Sequence, residues 1–129
     1  MHCTDTRPSV SVDHVMQIFK QRGWRNPGYH YLVKPDGSAV PILPEAEIAN
    51  GAKGYNSISR HVVYTGGLDK KGKPKDTRTV AQKEALKRYV LDFHRRFPGV
   101  KIIGHNEVAA KDCPCFDVQA WLRDLNINN

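Results

Sequence analysis

The sequence predicts an α/β fold, a β-sheet covered by helices, and three observations carry that prediction. Segments with helical apolar spacing alternate along the chain with short β-branched and aromatic runs. Glycine, proline and asparagine clusters punctuate the joins. The 129 residues suffice for one hydrophobic core, so residues 1–129 are expected to form a single domain.

Val12, Val15, Met16 and Phe19 fall at i, i+3, i+4 and i+7, the stripe of an amphipathic helix that Gly23 ends. Asn26-Pro27-Gly28 opens a loop. Tyr29–Lys34 then has strand composition, and the turn Pro35-Asp36-Gly37 leads into a second run, Ser38–Leu43. Pro41 and Pro44 confine that run to a sheet edge or cut it short. Residues 44–59 show no period and are expected to be loop. His61–Thr65 is the next expected strand, closed by Gly66-Gly67, and the lysine-rich segment Leu68–Asp76 is a solvated loop. Thr79 with Gln82 forms a capping-box signal. Behind it Leu86, Tyr89, Val90, Phe93 and Phe97 keep helical spacing until Pro98-Gly99. Val100–Ile103 has strand length and composition. Asp117 is the expected N-cap of a last helix carrying Val118, Trp121, Leu122 and Leu125 on one face.

Composition narrows the function. Twenty basic against thirteen acidic residues leave a formal charge of +7, which favours anionic partners such as cell-wall polymer, nucleic acid or a membrane surface. Apolar runs of only a few residues exclude membrane insertion. The first ten residues lack a secretory signal pattern, so the expected location is the cytoplasm as synthesised. Three cysteines do not make a disulfide framework, and at least one is free for chemistry.

His105 and Cys113 share one loop directly after the expected strand 100–103, where α/β sheets place their sites. Eight residues between them allow the chain to turn back, with Gly104 expected to let the backbone bend and Pro114 stiffening it after the thiol. His2 stands at the other end. Two imidazoles and a thiolate form a zinc set that leaves a fourth tetrahedral position open, the mark of a catalytic rather than a structural site.

The runs HCTDT, NPGYHYLVKPDGSAV, AKGYNSIS, GGLDKKGK and GHNEVAAKDCPCFDVQAW, in this order, resemble the type 2 N-acetylmuramoyl-L-alanine amidase family. The likeness spans essentially the whole chain and is strongest to bacteriophage amidase-type lysozymes; animal peptidoglycan recognition proteins are more distant. It implies a mixed central sheet flanked by helices. It also implies zinc (Zn2+) held by His2, His105 and Cys113, a catalytic tyrosine at Tyr29 and a catalytic lysine at Lys111. The implied reaction is hydrolysis of the amide between the lactyl group of N-acetylmuramic acid and L-alanine of the stem peptide. The implied partner is peptidoglycan or its muropeptides, met after release from the cytoplasm or as wall fragments.

Several residues stand apart from that pattern. The resemblance gives His30 a supporting or substrate-facing role, and its strand position points it away from Tyr29. Asn56 in GYNS is expected to shape its loop or touch substrate. No carboxylate general base is obvious near these motifs, although Glu107 sits in the His105 loop. His61 stands where the family commonly has a small residue, and Arg60 where an aliphatic is usual. His14 and His94 read as structural or solvated, and Cys3 and Cys115 as small buried hydrophobes able to pair if their backbones approach. Only Met1 precedes His2 where the family has an apolar strand, so a shortened first strand and a fraying His2 are expected. That feature supports a second reading, a non-catalytic peptidoglycan-binding module. A nucleic-acid-binding domain rests on charge alone and has no motif behind it.

Overall fold

The computed structural model describes residues 1–129, organised by one four-stranded sheet. Its strands are β1 (His2–Cys3), β2 (Tyr31–Val33), β3 (Ala39–Pro41) and β4 (Val62–Tyr64), and its helices are α1 (Val12–Gln21), α2 (Val80–Arg96) and α3 (Val118–Asp124). The spatial order is β1-β4-β2-β3. β4 runs parallel to both β1 and β2, while β3 pairs antiparallel with β2, so the sheet is mixed. β3 lies on the edge, where Pro41 costs no ladder bond to a further strand.

Register assigns each residue to a face. His2 and Leu32 both lie opposite Val63, and Cys3 and Val33 both lie opposite Tyr64. Because successive side chains alternate, the first set points one way and the second the other. Leu32 and Val63 pack with Val15 and Phe19 of α1. Cys3, Val33 and Tyr64 pack with Ala85, Leu86, Val90 and Phe93 of α2 and with Val118 and Leu122 of α3. Three short parallel strands are thus held by apolar burial on both sides, the usual condition of parallel sheets.

The expected helices form where their spacing placed them. Ser11 caps α1 by accepting from the His14 amide, and Gly23 follows its end with a left-handed φ of 73°. Thr79 and Gln82 cap α2 reciprocally, each bond 3.0 Å. Gln82 is fully buried, and its amide nitrogen also donates to the carbonyls of Val33 and Thr65. One side chain therefore ties the start of α2 to the ends of β2 and β4. Asp117 caps α3 through the Ala120 amide.

Two expectations need correction. Residues 100–103 form no strand. Ile102 offers its N–H and C=O to the Asn129 side chain, with Gln119 sharing the carbonyl, so side-chain amides replace a neighbouring strand. Nor does His2 fray. The Met1 ammonium donates to Ile103 O at 2.6 Å, the His105 amide donates to Met1 O at 3.1 Å, and the Thr4 amide donates to Tyr64 O at 3.1 Å. His2 is accordingly buried. The segment 44–59 is loop as expected, apart from one 3-10 turn at Asn56–Ile58, and Arg96 of α2 pins it through a two-bonded ion pair with Glu45.

Gln82→Ala is expected to lower unfolding free energy by about 2–4 kcal/mol, because it strips the cap and leaves buried strand-end carbonyls unpaired. Urea unfolding with an unchanged m-value checks it.

Candidate metal centre

The β1–β4 register sends the His2 ring to the α1 face of the sheet. Its Nδ1 lies 3.8 Å from Cys113 Sγ, and ligand atoms of His2, His105 and Cys113 all lie within 4.8 Å of one another. His105 begins a short 3-10 turn, His105–Glu107, and its amide is bonded to Met1. Gly104 before it has an ordinary φ of −87°, so its part is room rather than the expected bend. A Cβ there would come within 2.6 Å of Asn106 Oδ1 and 3.1 Å of Pro114 Cδ. Cys113 is fixed from β1, whose Cys3 amide donates to its sulfur at 3.3 Å, and from β4, where Tyr64 Oη donates to Pro114 O at 2.7 Å.

The protonation states suit ligation. Burial pushes the His2 pKa well below the usual imidazole range. Burial and then the Lys111 ammonium lower that of His105. Both rings are neutral at physiological pH and offer lone pairs. The Cys3 thiol and amide draw the Cys113 pKa below the ordinary thiol value, against the opposing effect of burial. Two neutral imidazoles and a sulfur biased toward thiolate, gathered within ligand reach of one another, fit a tetrahedral divalent ion.

The other expected residues divide in two. Tyr29 stands beside the cluster, its ring centroid 5.2 Å from that of His2 and 5.5 Å from Phe19. Burial raises its pKa, so the phenol stays protonated as a donor. Lys111 is exposed at the end of the same loop as Cys113, close enough for its charge to act on both histidines. His30, by contrast, is fully buried: Nε2 donates to Glu47 O at 2.8 Å and Nδ1 accepts the His61 amide at 2.9 Å. With both nitrogens engaged it braces two loops and offers no polar atom to a substrate, which corrects the substrate-facing expectation. Asn56 shapes its loop by accepting the Ala52 amide at 2.8 Å. The Glu107 carboxylate is spent on the Gly104 amide and Gln119. Cys3 and Cys115 are free thiols with sulfurs 3.9 Å apart.

A residue set aside in the sequence reading joins the cluster. His61 is 3% exposed, and its Nδ1 lies 2.8 Å from His2 Nε2. Its signal was available only through pairing: His61 precedes Val63 by two, and Val63 lies opposite His2, so both rings share a face. A groove of about 500 Å3 runs from here between residues 58–62 and 100–104, with Tyr29, Lys111 and Cys113 outside it. His2, His61 and His105 line it.

Comparison with known proteins decides the family. The model of the N-acetylmuramoyl-L-alanine amidase family matches residues 1–116. The chain belongs to that family. Among similar proteins, the endolysin of Escherichia phage T7 is 37% identical over 123 residues, covering 94% of this chain and 82% of the endolysin. The endolysin of Klebsiella phage KP32 is 34% identical with the same coverage. Among solved structures, the N-acetylmuramoyl-L-alanine amidase LysC from Clostridium intestinale superposes with a TM-score of 0.83 at 22% identity, covering 98% of this chain and 83% of LysC. The Apis mellifera recognition protein PGRP-SA superposes at 0.76 and 19% identity, covering 95% and 77%. These superpositions establish that the amidase has the α/β fold shared by both groups.

Gly51 of the amidase abuts this cluster: a Cβ there would approach His61 Nδ1 to 2.5 Å and the backbone Gly28 O to 2.8 Å. Gly51→Ala is therefore expected to cost about 1–3 kcal/mol by overpacking, measured as a lowered denaturation midpoint.

Proposed function

We propose that this amidase is zinc-dependent and hydrolyses the amide between N-acetylmuramic acid and the L-alanine of the peptidoglycan stem. The observation that carries the proposal is the gathering of His2, His105 and Cys113 within ligand reach of one another, in a member of the amidase family. When bound, zinc supplies a Lewis acid that polarises a carbonyl and brings the pKa of water to about 7.

The chain's own groups supply the rest. His2 and His105 ligate through neutral rings because burial keeps them unprotonated. Cys113 ligates through sulfur, its charge eased by the Cys3 amide. The protonated Tyr29 hydroxyl donates toward the scissile carbonyl oxygen, and the Lys111 ammonium stabilises negative charge gathering there. Each such donor is worth about 3–4 kcal/mol of barrier where it has been measured. Half-buried against Phe19 and His2, Tyr29 loses little side-chain freedom on binding substrate, whereas exposed Lys111 must be ordered by it.

Peptidoglycan is the proposed partner, and the net charge of +7 suits an anionic wall. No helix is long and apolar enough to cross a membrane. Release from the cytoplasm to the wall, or action on wall fragments, completes the proposal. The binding-module alternative drew on a fraying His2, and the bonds that tie Met1 to Ile103 and His105 remove its motive.

Chelation is expected to abolish release of stem peptides bearing an L-alanine amino terminus, and added zinc to restore it, followed by mass spectrometry of digested sacculi. His105→Ala and Cys113→Ala are expected to be inactive; persistent cleavage by either overturns the proposal. Tyr29→Phe and Lys111→Met are each expected to lower kcat by about 10²–10³-fold with the metal retained.

A further inference from the structure

His61 has no part in the reaction as described, yet its Nδ1 is the hydrogen-bond partner of His2 Nε2, at 2.8 Å. A neutral imidazole carries one N–H. The His2 nitrogen turned toward the Cys113 sulfur is Nδ1. To ligate, Nδ1 must be bare, so the His2 proton resides on Nε2 and is donated to His61 Nδ1. The His61 proton then resides on its own Nε2, a buried atom without any hydrogen-bond partner. One proton arrangement thus leaves the His2 Nδ1 bare for a metal and pairs the His2 Nε2 proton with His61 Nδ1.

The surroundings hold His61 in that position. Its backbone amide donates to His30 Nδ1 at 2.9 Å. Its ring lies parallel to that of His30, with centroids 5.8 Å apart and planes at 4°. Gly51 lies against it, where a Cβ would come within 2.5 Å of Nδ1. Space filling alone does not account for an imidazole here: leucine fills comparable volume without burying an unpaired nitrogen, which is a net cost. The hydrogen bond to His2 is what the imidazole adds.

We infer that His61 is a positioning residue of the metal site: by accepting the Nε2 proton of His2, it fixes the tautomer and ring orientation that present Nδ1 to the metal. Such outer partners orient ligands in many metal sites. The inference rests on the zinc reading above and concerns this chain's own ring pair.

The test measures zinc affinity by competition with a chromophoric chelator, beside unfolding midpoints, for wild type, His61→Leu and His61→Asn. His61→Leu is expected to bind zinc 10–100-fold more weakly while remaining folded. His61→Asn keeps an acceptor near the Nδ1 position and is expected to recover most of the loss. In zinc-loaded wild type, ring-nitrogen NMR is expected to show the protons of His2 and His61 each on Nε2. This measurement decides the matter even if His61→Leu does not fold. A folded His61→Leu binding within twofold of wild type, or a His61 proton found on Nδ1, overturns the inference alone. Wild type without zinc affinity instead overturns the zinc reading and this inference with it.

Discussion

The parallel pairing of β1 with β4 is the constraint on which the rest of the structure depends. Two residues form β1, yet their register settles three matters at once. His2 is turned to the face where His61 lies, Cys3 is sunk into the core beneath α2, and the Cys3 amide is left to meet the Cys113 sulfur. A slip of one residue would exchange the faces of His2 and Cys3 and dismantle the cluster. That register is secured from outside the strand, by the bonds of Met1 to the 103–105 segment and by the Thr4 amide.

The two faces of the sheet divide the labour. Beneath β1 and β4, α2 and α3 supply six of the eleven buried residues of the larger core cluster, and Cys113 packs against that cluster from the site. On the opposite face a smaller cluster around Val15, Phe19, Leu32 and Val63 gives way to histidines. There burial does two things. It holds imidazoles neutral, as ligands require, and lowers the pKa of His61 to about 3, so that no cation competes with a metal at that point. Positive charge enters instead from the rim, through Lys111, where water still reaches it.

Local physics made the helices legible. Capping residues and 3.6-residue spacing act over a few neighbours, so Thr79, Gln82 and Asp117 announced their roles in the sequence. The edge position of β3 was legible through Pro41 for the same reason. Segment 100–103 misled because its apolar composition suits a strand, whereas its backbone partners are Met1, Gln119 and Asn129, which no local pattern reveals. Family motifs led to the expectation of His2, His105 and Cys113 as one set, and the fold brings the three within ligand reach of one another. The parts of His30 and His61 were not legible, since a histidine's role is set by what faces each ring nitrogen, and those partners come from remote loops and strands.

Cys113 and His2 are separated by 111 positions, nearly the length of the chain. An ion held by both would act as a cross-link closing a loop of that length, and long closures remove the most disorder from the unfolded state. Losing such an ion would then loosen the fold as well as the chemistry.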